Sequence, residues 1–453
     1  MTEILERIHG FVWGVPALAG ILGVGLYLTI STGFVQVWMF PEALERFLGM
    51  FRGRDRSSFR GLCTALGATV GTGNLVGVAG AISLGGPGSI FWMWICGFLG
   101  MATKYTEAVL GVHYRVRERG ERLSGPMYVI TRGMGERWRW LASTYSLFGV
   151  IAAFGVGNAT QINAIVTGLR QVTGGAGDRG NLFLGLGLAL MVGLLLRGGA
   201  GKIGAAAEKL VPLAAAGYIG LCVLVLILRF DRVGGAFSGI FQGAFDPKAV
   251  TGGMLGSFFS VLRVGCARGV FTNEAGMGTA GIAHGEAEVD HPVQQGLMGI
   301  MEVFLDTIVI CTLTALVILV SGVDIPYGRD AGEVLTAAAF SRVCGKWAEA
   351  ALAACICCFA LATVLGWGLY GLRCVRFLLG RNSENWFVWV QMAAALLGAV
   401  LETGVIWLLA EAVNGLMALP NLLALFCMAG KAANLTRDYG KQRSHFGAGR
   451  KMP

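Results

Sequence analysis

The sequence predicts an all-α polytopic membrane protein with about eleven transmembrane helices. Three observations lead there. Hydrophobic residues make up 55% of 453, charged residues only 14%, and glycine alone accounts for 71, a profile that water-soluble domains of this size do not show. Apolar runs of roughly 17 to 25 residues, the length that crosses a bilayer as helix, recur along the whole chain. Two of these runs are interrupted by glycine-rich polar stretches. Lipid cannot hydrogen-bond unwound backbone, so each interruption must be buried in protein or line a wet cavity.

Taken in order, spans are expected near 11–32, 62–82, 89–111, 141–169, 181–196, 208–229, 252–275, 297–320, 347–379, 386–409 and 412–435. The fifth is short and the ninth long for one crossing. Between the eighth and ninth, Asp330 to Val343 is amphipathic and weakly hydrophobic, and reads as a surface hairpin. The second span contains Gly67-Ala68-Thr69-Val70-Gly71-Thr72-Gly73-Asn74-Leu75-Val76-Gly77. Apolar residues flank this stretch so closely that the chain cannot return to water there, and the helix must break at membrane depth. The seventh span holds a second polar stretch, Arg263 to Gly278.

Two interrupted helices in corresponding places of two halves indicate inverted repeats. If the first span is an accessory, spans two to six and seven to eleven form two five-helix units that start from opposite sides of the membrane. This is a leucine-transporter-like 5+5 inverted repeat. The chain then divides into an accessory helix and cytoplasmic loop at 1–60, a first repeat at 61–230, a second at 250–436 and a cytoplasmic tail at 437–453.

Lys and Arg set the orientation. Arg46, Arg52, Arg54, Arg56 and Arg60 crowd one connection, and Arg115, Arg117, Arg119, Arg122, Arg132, Arg137 and Arg139 another. Lys431, Arg437, Lys441, Arg443, Arg450 and Lys451 crowd the tail. The alternate connections Leu84 to Ser89 and Glu411 to Val413 carry none. The expected topology therefore has the amino terminus outside and the carboxyl terminus cytoplasmic. The net charge of +9 reflects this topology and contact with anionic membrane lipids, not nucleic acid. The eleven cysteines form no paired CxxC set, which argues against a zinc site or a disulfide framework and for small apolar packing residues. Met1 to Gly10 lacks the basic start and cleavage motif of a removable signal peptide. Nowhere do a nucleophile, a general base and an orienting partner recur together, so no enzyme is expected.

Several motifs resemble the alanine or glycine:cation symporter family. They are Ala68 to Asn74, Gly85-Gly86-Pro87-Gly88 followed by Phe91-Trp92-Met93-Trp94, Gly100 to Tyr105, Gly125-Pro126-Met127-Tyr128, Arg268 to Gly276, Asp306-Thr307, Leu365-Gly366-Trp367 and Pro420-Asn421-Leu422. The resemblance runs from about Trp13 to about Ala429. It implies sodium-driven import of alanine, glycine and similar small neutral amino acids, with Na⁺ as the coupling ion, no further cofactor, and a homo-oligomer left open.

A zwitterionic substrate gives these residue types a reason. Where a helix restarts, its first N–H groups are free and carry the positive end of the dipole, so Thr72, Gly73 and Asn74 are expected to hold a carboxylate. The carbonyls of Ala68, Thr69, Val70 and Gly71 end the preceding segment and suit a hard cation; the family pattern adds the hydroxyl of Thr363. Carbonyls from Ala267 to Val270 are expected near the ammonium group, and Gln161 is expected to supply an amide to the substrate site from the fourth span. Phe271 and Trp367 would wall a pocket for a small side chain. The chain departs from the family pattern at Ala362-Thr363, which has one hydroxyl fewer, and at Leu372, which replaces an acid. Gly157-Asn158-Ala159 also has a small residue where a bulkier one is usual in the family. The rival readings are H⁺ coupling through Glu274, Asp306 or Glu402, an amino-acid-sensing receptor, and a channel. The spans show no continuous polar stripe for a channel.

Overall fold

The computed structural model describes residue 7 and residues 10–53, 55–71, 73–173, 177–251, 257–401 and 404–447. The expectations at Thr72 and Glu402 lie outside the described residues. Among the described residues, seven helices are long and apolar enough to cross a membrane. The pair Arg56–Thr69 and Gly73–Gly85, bent by 51°, makes an eighth. The three remaining expected spans are also helical, but less apolar or interrupted. Ser89–His113 carries Lys104 and Glu107, Ser383–Val400 begins with Glu384, and the seventh span is split into Phe258–Asn273 and Thr279–Gly285.

Four details differ from the sequence-based expectation. The segment read as a surface hairpin is the helix Gly332–Cys344. Its apolar side, with Leu335, Ala339 and Phe340, is buried, and Thr336 Oγ1 donates to the Leu75 carbonyl at 3.0 Å. This helix lies over the first broken span, and its weak hydrophobicity belongs to the face turned away. The chain from 230 to 251, read as a connection, holds the helices Phe230–Phe245 and Pro247–Thr251. The tenth span ends at Val400, where Leu401 turns to extended backbone, and the last helix, Gly404–Gly447, takes in Glu411 to Val413. A short antiparallel ribbon, Val116–Glu118 with Glu121–Leu123, is the one departure from all-α structure among the described residues.

The two broken spans cross antiparallel. A side chain built at Gly85, near the end of the first, would meet Val264 in the opening half of the second at 3.0 Å. One built at Gly61, near the start of the first, would meet Ala287 beyond the end of the second at 3.5 Å. Opposed direction is what inversion of an odd-numbered repeat requires. Close packing of this kind depends on missing side chains: a Cβ on Gly111 would stand 2.6 Å from the Gly281 carbonyl oxygen, so only glycine lets these backbones meet.

Candidate substrate and cation site

The first break is tied shut by one asparagine. The helix Arg56–Thr69 ends because Val70 is extended, its N–H closing the last turn on the Leu66 carbonyl. Asn74, fully buried, accepts from the Gly71 N–H at 3.0 Å and donates to Asp306 Oδ1 at 2.7 Å and to the Asp306 carbonyl at 3.2 Å. Its own N–H donates to the Gly71 carbonyl at 3.3 Å. Neither its side chain nor its N–H is left for a carboxylate, and Asn74 does not line the cavity described below. This corrects its expected place in the substrate cradle. The same bonds spend Asp306 on Asn74 and on Thr307, which donates at 2.8 Å. The chain resumes as a π-helical turn, Gly73–Gly77. Further π turns occur at Ile130–Met134, Gly155–Ala159 and Phe304–Cys311, and the last two adjoin the cavity or the first break. Such turns leave helix backbone locally underwound, a form that recurs at functional sites.

On the other side of the break, Thr363 Oγ1 lies 2.9 Å from the Gly67 carbonyl and 3.1 Å from that of Phe359 on its own helix. Its proton joins the two helices while its lone pairs stay open. The carbonyls of Ala68 and Thr69 stand past the last intrahelical bond, where a helix has no N–H to offer them. Thr363 Oγ1 stands next to Gly71, 2.9 Å from where a Cβ would lie, and Ala68, Thr69, Gly71 and Thr363 share one wall.

The second break is narrower than expected. Helix continues through Asn273, and the irregular segment is Glu274 to Gly278, with positive φ at Glu274 (53°), Gly276 (95°) and Gly278 (83°). Glycine supplies two of these left-handed positions without steric cost. The Gly269 and Val270 carbonyls accept from Thr272 Oγ1 and the Glu274 N–H. The stretch Ala267 to Val270, expected to receive an ammonium group through free carbonyls, is thus ordinary helix. The N–H groups of Gly276 and Gly278 point at Glu107 Oε1, at 2.9 and 3.0 Å, and Asn421 Nδ2 reaches the same oxygen at 2.9 Å. A protein carboxylate fills this nest.

Glu274 itself turns to the cavity. Its carboxylate accepts from Trp367 Nε1 at 3.1 Å and from Thr279 Oγ1 at 2.9 Å. Behind it, Lys104 pairs with Glu302 at 2.8 Å, and Glu302 also meets His284 at 3.0 Å, all fully buried. This chain of bonds joins the second break to the helices Ser89–His113 and Pro292–Val303.

The two breaks enclose a cavity of about 30 Å³, room for roughly two water molecules. Ala68, Thr69, Gly71, Gly73, Gln161, Phe271, Thr363 and Trp367 line it, so most of the sequence-predicted set comes together. Val156, Glu274 and Asn414 complete the wall. Glu274 sits in a polar stretch already singled out, and its acidity inside a membrane span was the available signal. An amide in the apolar last span, which also carries Asn421, was the signal for Asn414. Val156 offered none. A larger cavity of about 410 Å³ lies away from both breaks, among Arg122, Arg197, Glu286, Arg373 and Glu384.

Ion pairs occur on the helices that carry the cavity wall. On the helix of Phe271, Arg268 meets Asp330 at 3.0 Å. On the helix of Trp367, Arg373 holds Glu286 at 2.6 Å, and Arg376 holds Glu121 together with Glu118 at 3.2 Å and Glu384 at 3.1 Å. Partial burial raises the Glu121 carboxyl, but Arg376 and Arg373 outweigh it and hold the group below its ordinary 4.5.

A helical membrane protein whose two antiparallel broken helices face one small cavity has the build of a secondary transporter. The solved structure of MhsT in complex with L-phenylalanine has the same fold, with a TM-score of 0.57 at 15% identity over 85% of this chain and 98% of that one. The chain belongs to the sodium:alanine symporter family, which it matches over residues 1–451. It is 37% identical to the sodium/alanine symporter AgcS of Methanococcus maripaludis, covering 98% of both chains. It is 42% identical to an uncharacterized transporter of Haemophilus influenzae over 97% of this chain and 96% of that one. The amino-acid carrier protein AlsT of Bacillus subtilis is 34% identical over 93% and 89%. The protein is therefore a multi-pass membrane symporter of amino acids and not an enzyme.

Proposed function

We propose that this chain couples Na⁺ to the import of small neutral amino acids, alanine and glycine among them, across the cytoplasmic membrane by alternating access. The observation that carries the reading is the cavity, which has hard oxygen acceptors on one wall and a carboxylate with two aromatic rings on the other. Na⁺ is held by the carbonyls of Ala68, Thr69 and Gly71 with Thr363 Oγ1. The substrate carboxylate meets the restarting helix at Gly73, with Thr72 beside it. Its ammonium group turns to Glu274 and Gln161, and Phe271 and Trp367 limit the side chain. A relative named as a sodium/alanine symporter at 37% identity supports both the ion and the substrate class.

Transport follows from movement of the broken helices as part of one bundle against the other helices, in two repeats at 61–230 and 250–436. Parting of Arg268 from Asp330 opens one side, and parting of Arg373 from Glu286 the other. The arginine-rich connections support a cytoplasmic position for Arg373, Glu286 and the ribbon, with the amino terminus outside and the carboxyl terminus inside. Of the three acids weighed as proton carriers, Asp306 is engaged with Asn74 away from the cavity and Glu402 lies outside the described residues. Glu274 alone of these is on the cavity wall. The deciding experiment is uptake of labelled alanine into proteoliposomes under an imposed Na⁺ gradient or an equal H⁺ gradient. Stimulation by Na⁺ is the expected result, and stimulation by H⁺ alone would assign the coupling to Glu274.

A further inference from the structure

We infer that the larger cavity takes the headgroup of an anionic phospholipid, held by Arg197 and Lys202. This site is separate from the transport cavity and does not depend on which ion or amino acid is carried. Its wall comes from the ribbon, the turn after the span Arg179–Leu196, Glu286, and the helices Trp347–Leu379 and Ser383–Val400. The three carboxylates on that wall are already taken. Glu286 pairs with Arg373 at 2.6 Å, Glu384 with Arg376 at 3.1 Å, and Glu121 with Arg376 and, at 3.3 Å, with Arg373. Arg197 also lines the wall, is exposed, and meets no carboxylate among the described residues. Its guanidinium lies over the Trp389 ring, 4.7 Å from the centroid. Lys202 is likewise exposed and without a carboxylate partner among the described residues. Its stem runs along Gly198, a wall residue, where a Cβ would overlap it. Two cations at the rim therefore stand without an anion.

The surroundings decide which anion fits. Arg197 directly follows the last residue of a membrane span, and Trp389 lies near the start of Ser383–Val400. Trp386 and Trp389 are 56% and 57% exposed. Exposed tryptophans at the ends of spans sit at the level of the lipid headgroups, so the rim that carries Arg197 stands where phosphates are. Stacking on the ring fixes the guanidinium and leaves its in-plane N–H groups for phosphate oxygens, while Lys202 adds a point charge. A cavity of about 410 Å³ has the size of a small-molecule site and admits a phosphoglycerol group. Soluble phosphate offers the same charge, but only a lipid also brings acyl chains to cover Trp386 and Trp389. A choline headgroup carries a cation that Arg197 and Lys202 repel, so the site selects lipids of net negative charge.

The test is the melting temperature of the full-length protein in detergent, titrated with dioleoyl phosphatidylglycerol, dioleoyl phosphatidylcholine or inorganic phosphate. Phosphatidylglycerol should raise it saturably, and the other two should do little at equal concentration. In the double variant Arg197→Gln, Lys202→Gln, the phosphatidylglycerol concentration for half the effect should rise about tenfold or more, because two charge contacts are lost. The control Arg52→Gln, Arg132→Gln removes two exposed arginines from other connections and should leave it unchanged. Equal stabilisation of the wild type by phosphatidylcholine overturns the inference, and this comparison needs no variant to fold. Stabilisation by inorganic phosphate that the double variant loses assigns the cations to a soluble anion and overturns the lipid. A phosphatidylglycerol response that survives in the double variant, or is lost equally in the control, overturns it as well. The transport reading is untouched by any of these results and is decided by the uptake experiment alone.

Discussion

Replacing Gly71 with alanine should weaken the cation's hold by about ten- to a hundredfold. A Cβ at this position would stand 2.9 Å from Thr363 Oγ1 and 3.9 Å from Gln161 Oε1, with no backbone atom within 4 Å outside its immediate surroundings. Gly71 is not among the positive-φ residues, so alanine brings no backbone strain. The new methyl group therefore enters the cavity itself, beside the Thr363 hydroxyl and on the wall shared with Ala68 and Thr69. Forcing a methyl into packed surroundings costs about 1–3 kcal/mol, and each 1.4 kcal/mol is about tenfold in a dissociation constant. The Na⁺ concentration for half-maximal alanine uptake should rise accordingly in proteoliposomes. Gly73→Ala provides the contrast, because its Cβ would meet Phe271 and Thr272 only at 3.7 Å, an ordinary contact. That variant should lower alanine affinity modestly and leave the Na⁺ dependence near that of the wild type. A Gly71→Ala protein with an unchanged melting temperature and unchanged Na⁺ dependence would refute this placement of the cation.

Other expectations follow from the buried bonds. Trp367→Phe keeps an aromatic wall but removes the donor to Glu274; loss of a hydrogen bond to a charged group is worth about 1.5–3 kcal/mol, so alanine affinity measured by uptake competition should fall about tenfold or more, with leucine still excluded. Lys104→Met strands Glu302 in the interior and should destabilise the protein by about 3–5 kcal/mol, seen as a lowered melting temperature in detergent. Adding Glu302→Gln to it should restore most of the loss. At the ribbon, the Glu121 carboxyl is held below 4.5, so its stabilising bond to Arg376 is present above that pH and lost as pH falls through the depressed value. The difference in melting temperature between wild type and Glu121→Gln should stay constant from pH 8 to about pH 5 and vanish only at lower pH.

Much of the site was legible because broken membrane helices leave a local signature. Gly71 and Gly73 between apolar flanks can serve little else, since lipid tolerates irregular backbone only around a cavity. Phe271, expected as a pocket wall, does line the cavity. The same reasoning set the second break too widely, because Arg263 to Gly278 carries polar residues and glycines along its whole length while only Glu274 to Gly278 leaves the helix. Local sequence does not say where within a polar stretch the backbone turns; the bonds from Gly276 and Gly278 to Glu107, more than a hundred and sixty residues earlier in the chain, do.

What the sequence determined by itself is set by solvent and by chain geometry: the helical class, the approximate positions of the spans and the fact that two of them are interrupted. These depend on residues close together in the chain. What only the tertiary structure decided is which polar groups remain available after the helices pack. Asn74 and Asp306 satisfy one another, so neither faces the substrate. Glu274 is turned to the cavity between Trp367 and Thr279, and Asn414 arrives from the last helix to complete the wall. Hydrogen bonds are short and exclusive, so a polar side chain is structural or functional according to the neighbour that folding delivers.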